Sequence, residues 1–294
     1  VNNEENFDNY HKDSARIYRL KSFIPITKDQ TWIWEASPYL LGSEISGKVT
    51  GLELMTRVMP VYAGAPLTLY LNDQLFQEKK AAYVDSNWFN MFSYHFQEGS
   101  VQKFYSQPYS LILTRKAAKR YFGNSSPTAK VVVIDSINYV VAGVVDDYPV
   151  NSSFEFDVLI PAASQMQTEQ GRKNAYSWGS FTYLTFLKLR PDANKERVLA
   201  AVQKIFNKAR NREDQKMGLV SLGDMHFEND LQSSSLRKGD SKMVRIFSIL
   251  GILLLLVACI NYVNLTTARA SRRAKEVSVR KIVGAAGWRL FLQF

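Results

Sequence analysis

Three histidines, His11, His95 and His226, and one cysteine, Cys259, are the side chains of this chain best suited to metal ligation or nucleophilic chemistry. A zinc site needs several such ligands converging at short spacing, and the sequence offers neither an HxxxH nor a CxxC pattern. The histidines are therefore expected on the surface or in packing roles, and Cys259, inside an apolar run, as a small inert residue. Asp146-Asp147 directly precedes Tyr148-Pro149, which favours a turn over a catalytic carboxylate pair. No G-x-S-x-G elbow supports a serine hydrolase. Gly284 and Gly287 bracket two alanines without the Lys-Ser/Thr that completes a phosphate-binding loop. The sequence thus predicts no catalytic residue, no metal and no cofactor on this chain; it does not read as an enzyme.

The informative chemistry surrounds residues 246–268, an apolar run without a single charge. An α-helix needs about 20 such residues to cross a hydrocarbon core. Within it, Asn261 and Asn264 stand three apart and can hydrogen-bond a neighbouring helix, or simply mark the helix end. Ser248, Gly251 and Ala258 would let such a helix approach closely. The candidate helix–helix contact is therefore Gly251, Asn261 and Asn264.

The formal charge of +10 is not spread over the chain. Residues 1–236 hold 26 Lys/Arg against 25 Asp/Glu, while residues 237–245 hold four against one and residues 269–294 seven against one. Basic residues flanking an apolar run fit anionic headgroups better than nucleic acid. The heavier basic flank places 269–294 in the cytoplasm and 1–240 outside. That basic segment also carries Val277, Val279, Ile282 and Val283, then Trp288, Leu290 and Phe291, a pattern suited to an interfacial helix with one side on a partner. An ordinary stop-transfer flank is the weaker reading. Val1 opens a polar stretch without an export signal, so an earlier membrane helix is expected upstream and the chain reads as a fragment.

The elements expected to carry these residues form an α+β domain. Asp8–Ala15 reads as a short helix, Ile17–Ile26 as a strand, Pro38–Ile45 as a helix and Leu52–Met59 as a strand. The pattern recurs downstream: strand Thr182–Leu189, helix Asp192–Lys208, strand Gly218–Leu222. Val198, Leu199, Val202, Ile205 and Phe206 line one stripe of that second helix. Two β-α-β units, 14–60 and 180–223, are thus predicted to form one lobe. Between them lies a β-rich insert with turns at Asn72-Asp73, Asp135–Ile137 and Asp146–Ser153, and a strand at Phe154–Ile160. Thr114 should cap a helix that Gly123 closes. Trp32, Trp34, Trp88 and Trp178 are expected in the core and lobe contacts, with a ligand or partner surface the lesser reading.

Several motifs together resemble one family. NYVNLTTARASRRAKEVSVRKIVGA is similar to the segment after the second transmembrane helix of FtsX/MacB-type ABC transporter permeases, A-x-x-R-x-x-E-[IV]-[GS]-[IV]-R-[KR]-x-[LIV]-G-A. NYHKDSARIYRL, LTRKAAKRYFG and AGVVDDYPVNSSFEFDVLIP resemble segments of the MacB-type periplasmic core domain, in the same order. The resemblance implies a two-lobed periplasmic domain over 1–240, with a porter-like lobe at about 1–60 and 155–240 and an inserted β-rich lobe at about 61–154. It implies a transmembrane helix at 244–268 in the inner membrane and a cytoplasmic amphipathic coupling helix over 269–294. By position, Arg273, Glu276, Val277, Ser278, Val279, Arg280, Lys281, Gly284 and Ala285 would meet a separate ABC ATPase, which binds the ATP. Ser278 stands where the family most often has glycine. Further implied partners are a second permease protomer, lipid, and a periplasmic or outer-membrane protein; the function implied is coupling ATP hydrolysis to outer-domain movement for export or envelope work. The competing expectation is a membrane-tethered sensor whose outer domain binds a ligand. A sensor would continue into a heptad-patterned helix, and residues 269–294 show no sustained a/d repeat.

Overall fold

Ile17, Tyr18, Arg19 and Leu20 alternate between the two faces of a central strand, and that strand organises half the domain. The computed structural model describes residues 6–61, 65–71 and 74–283, with the backbone alone at 271–273, 276, 277, 280 and 281. Its described residues divide into two units, 6–239 and 240–283.

In the first unit, β1 (Ile17–Pro25) is followed by short strands β2 (Thr31–Trp34) and β3 (Ser37–Pro38), helix α1 (Tyr39–Ile45) and β4 (Leu52–Pro60). After the insert come β13 (Phe181–Leu189), α6 (Lys195–Arg210) and β14 (Lys216–Ser221). These two β-α-β segments interleave in the order β14-β1-β13-β4, with every neighbouring pair antiparallel. Such a split arrangement is the ferredoxin-like solution, in which each helix crosses over a strand of the other unit. The expected elements are present with ends shifted by one to three residues.

The insert contributes β5 (Leu67–Leu71), β6 (Gln74–Glu78), β7 (Ala81–Val84), helix α2 (Trp88–Met91), β8 (Phe96–Gly99), α3 (Val101–Tyr105), β9 (Ser110–Thr114), α4 (Arg115–Phe122), β10 (Val131–Ile134), β11 (Ile137–Val145) and β12 (Val158–Pro161); α5 (Glu169–Ala175) follows it. Its strands extend the same sheet, because β7 pairs with β4 at Val58–Val84, Met59–Tyr83 and Pro60–Ala82. The Thr114 hydroxyl accepts from the Ala117 N–H at 3.2 Å, and Gly123 ends α4 at φ 62°, as the sequence predicts. Asp135 and Ser136, at φ 49° and 66°, turn β10 into β11 in the left-handed conformation that a tight hairpin needs. The predicted turn at Asn72-Asp73 lies outside the described residues.

Strand alternation divides the core. Phe186 and Leu184 of β13, Ala82 and Val84 of β7, Ile112 of β9 and Leu159 of β12 join Trp88, Phe92 and Phe154 in one cluster that runs under both halves of the sheet. The opposite face is split. Leu111, Leu113, Tyr83, Val158 and Ile160 pack with α4 in the insert, while Leu20, Leu187, Val198, Val202 and Phe206 pack with α1 and α6. Strands β7, β9 and β12 are consequently buried on both faces.

Three expectations give way. Asp8 does not start a helix: its φ is 56° and its carboxylate is fully buried, taken by the Ser153 backbone N–H rather than a local one. Phe154 and Phe156 are core residues outside a strand, and β12 begins only at Val158. The third concerns helix α7 (Ser241–Ile282), which continues unbroken past residue 268. Ala, Arg, Lys and Glu favour helix there and no glycine or proline intervenes before Gly284, so residues 269–282 prolong the membrane-length helix instead of forming a separate one.

Candidate membrane-coupling site

Helix α7 contains a 30-residue stretch, Ser241–Ala270, long and apolar enough to cross a membrane, and none of its most apolar window is buried. Leucines and isoleucines at 246–256 are exposed on every side of the helix. Gly251, Asn261 and Asn264 all lie on it. A Cβ added at Gly251 would meet nothing within 4 Å. At about 100° per residue, Gly251, Ala258 and Asn261 share one side, and Asn264 lies one turn from Asn261 at its edge. Ser248, by contrast, donates its hydroxyl back to the Val244 carbonyl at 2.8 Å.

The coupling candidates fall on the basic end. Arg273, Glu276, Val277, Ser278, Val279, Arg280 and Lys281 occupy the last turns of α7, with Ser278 and Val279 exposed. Arg273, Val277 and Arg280 stand at i, i+4 and i+7, one helical face. Gly284 and Ala285 lie outside the described residues.

Residues 222–239 join β14 to this helix, and the first unit holds them at two anchors. The first is a buried charge cluster. The Arg19 guanidinium, with no exposed surface, donates to Glu35 at 3.0 Å and to Glu228, whose other oxygen takes the Lys21 ammonium at 2.7 Å. Glu35 accepts from the Ser234 hydroxyl at 2.8 Å and from both the N–H and the hydroxyl of Ser235 at 2.6 Å. Buried charges persist only when paired and hydrogen-bonded in this way.

At the second anchor, the entry and exit of the domain converge on the turn at 151–155. Asp8 donates its N–H to the Asn151 carbonyl at 2.9 Å, and Ser153 donates its own to the Asp8 carboxylate at 2.8 Å. Arg237 reaches the Val150 carbonyl at 2.9 Å and Glu155 at 3.1 Å, and its guanidinium lies 5.4 Å from the Phe7 ring centroid. His226 stacks on Phe7 with centroids 3.4 Å apart, and its carbonyl accepts the Gly239 N–H at 2.9 Å. Burial pushes the Asp8 carboxyl up to about 6, against smaller opposing effects of Ser153 and His226.

The remaining polar candidates are structural. His11 is buried among Tyr10, Phe92 and Phe154, accepts the Ser93 N–H at 3.1 Å, and is pushed down to about 3 by burial. His95 is exposed beside Asp146 at 3.0 Å. Asp147 caps α4 through the Lys116 N–H at 2.7 Å, so the two neighbouring aspartates diverge. Among the described residues, no three His, Cys, Asp or Glu side chains are grouped to hold a metal. Sequence reasoning missed Arg19, Glu35 and Glu228. The available signal was Arg19 in phase with Ile17, a charge on the buried face of a strand.

A family model described as the MacB-like periplasmic core domain matches residues 1–205. The chain is similar to a macrolide export ATP-binding/permease protein MacB from Bdellovibrio bacteriovorus, 23% identical over 188 residues that make up 62% of this chain and 27% of the relative. The chain thus spans about a quarter of the length of that curated relative. Its fold matches a domain assigned to a permease protein of Porphyromonas gingivalis, at TM-score 0.60 and 18% identity over 76% of this chain and 95% of the other. It also matches the periplasmic region of MacB from Actinobacillus actinomycetemcomitans, at TM-score 0.53 and 13% identity over 75% and 95% of the two chains. The extracellular domain of the noncanonic ABC-type transporter YknZ from Gram-positive bacteria matches at TM-score 0.51 and 13% identity over 69% and 99%.

Proposed function

The chain belongs to the MacB-like periplasmic core domain family, and on that premise we propose that it is part of the permease subunit of an ABC transporter that transmits force across the membrane. A separate cytoplasmic ATPase binds and hydrolyses ATP, and movement of its subunits passes through α7 to the outer domain. Residues 1–240 stand outside an inner membrane and 269–294 inside it.

One observation carries this reading: the core domain is tied at two anchors to the segment that becomes a single continuous helix of 42 residues. At 1.5 Å per residue that helix is roughly 60 Å long, about twice the hydrocarbon thickness. Its basic end therefore extends beyond the lipid, where Arg273, Glu276, Val277, Ser278, Val279, Arg280 and Lys281 would meet the ATPase, with Gly284 and Ala285 completing the motif. An unbroken helix is stiff along its axis, and the anchors at Glu35 and Arg237 receive its movement on both halves of the sheet. A second permease protomer, identical or different, would pack against Gly251, Asn261 and Asn264, where two asparagines in lipid gain by pairing. The output is export or another envelope function, with a periplasmic or outer-membrane protein as a further partner.

The test is co-purification of the full-length protein in detergent. An ATPase should accompany it, and Arg280→Glu with Lys281→Glu should release that ATPase while the outer domain unfolds at the same urea concentration as before. Retention of the ATPase by the double variant would refute the docking assignment.

A further inference from the structure

Two adjoining cavities form one cleft along residues 233–237 of the anchored segment. The first, of about 460 Å³, is walled by Trp34, Phe181, Leu184 and Pro60. The second, of about 300 Å³, is lined by Lys79, Lys80, Glu155 and Arg237. They share Pro60, Val61, Lys79 and Ser235. The cleft is therefore apolar and aromatic at one end and basic at the other.

The charges do not balance. Glu35, at the apolar end, is already paired with the buried Arg19 and takes three further hydrogen bonds from Ser234 and Ser235. At the other end Lys80 and Arg237 share the single carboxylate of Glu155, at 2.7 and 3.1 Å. Lys79 is exposed and has no ion pair or hydrogen bond among the described residues. Three cations thus face one carboxylate. The apolar end is firmly built: Trp34 meets Phe181 edge-on at 5.4 Å, and Trp32 lies 6.2 Å from Trp34. The combined volume falls within the range of small-molecule sites.

We propose that this cleft binds an amphipathic anion, with an apolar or aromatic body against Trp34 and Phe181 and its acidic group at Lys79. Ser234 and Ser235 belong to the segment leading into α7, so an occupant touches the body of the domain and the connection to the helix at once. The site rests on the cleft alone and does not require the permease reading.

The full chain in nanodiscs of zwitterionic lipid provides the test, with naphthalene-2-sulfonate as probe and the neutral naphthalene-2-sulfonamide as control, read by saturation-transfer NMR. The sulfonate should bind more tightly than the sulfonamide. Lys79→Glu, an exposed change, should weaken the sulfonate about fivefold and leave the sulfonamide unmoved, the scale of one exposed charge contact reversed. Trp34→Ala should weaken both. Absence of sulfonate binding, equal binding of the two probes, or a sulfonate affinity indifferent to Lys79→Glu would overturn the assignment.

Discussion

Glu35 and Ser235 lie 200 residues apart in sequence, yet the Ser235 N–H and hydroxyl both bond one oxygen of the Glu35 carboxylate at 2.6 Å. The opposite oxygen holds the Arg19 guanidinium at 3.0 Å. One carboxylate thus neutralises a buried arginine and fastens the segment that leads to the membrane helix.

Glu35→Ala should therefore be among the most damaging single changes in the outer domain. It leaves Arg19 buried with Glu228 as its remaining close carboxylate and frees Ser234 and Ser235. Removing one partner of a buried ion pair costs about 3–5 kcal/mol. The urea midpoint should fall accordingly, and protease cleavage between 228 and 239 should accelerate. An unchanged midpoint would show that the cluster contributes nothing net.

Acidification should reveal two opposed groups. Asp8, raised from 3.8 to about 6, contributes stability that is complete below about pH 4 and lost as pH rises through 6. His11, lowered from 6.5 to about 3, contributes stability that is complete above 6.5 and lost as pH falls toward 3. Between pH 6.5 and 4 they oppose each other. Asp8→Asn keeps an acceptor for the Ser153 N–H but removes the titration, so its stability should fall more steeply than wild type on acidification across that window. At pH 7 the variant should be at least as stable as wild type, because it no longer buries a carboxylate. Urea midpoints at pH 7, 5.5 and 4.5 for the two proteins check both statements; parallel curves would contradict them. The groups around Asp8, namely Ser153, His226, Ser152, Tyr10 and Tyr94, are unchanged by the substitution.

Asn261→Leu combined with Asn264→Leu should weaken self-association of the full chain in detergent by about 1–2 kcal/mol. Outer-domain unfolding should not respond. Sedimentation across a range of detergent-to-protein ratios measures the first and urea titration the second. Unaltered association would mean that these asparagines face lipid or the helix end only.

The sequence made the local features of this molecule legible and left the distant ones hidden. Both β-α-β units stood out because Leu187 and Leu189, then Val198, Val202 and Phe206, follow strand and helix periods closely. Thr114 and Gly123 bounded α4 because capping is chemistry between near neighbours. Interleaving of the units was not readable, since β1 pairs with β13 across more than 160 residues and nothing in either strand names its partner. The same holds for Arg19, whose carboxylates come from Glu35 and from Glu228, 209 residues away. Asp8 misled because an aspartate before a polar run looks like a helix cap, while its actual partner is Ser153 on the far side of the insert. Two of the motifs behind the family resemblance lie at such junctions: His11, Arg16 and Arg19 belong to NYHKDSARIYRL, Ser153 and Glu155 to AGVVDDYPVNSSFEFDVLIP.

Transmission of force from ATPase to outer domain is the central claim, and electron-spin distance measurement addresses it most directly. Cys259 is the chain's single cysteine, so Cys259→Ala followed by Lys204→Cys places one spin label on the exposed side of α6 in each protomer. With the ATPase bound, trapping by ATP and vanadate should shift the distance between the two labels relative to the nucleotide-free complex, and Arg280→Glu with Lys281→Glu should abolish the shift. An identical distance distribution in both nucleotide states of the intact complex would contradict the account.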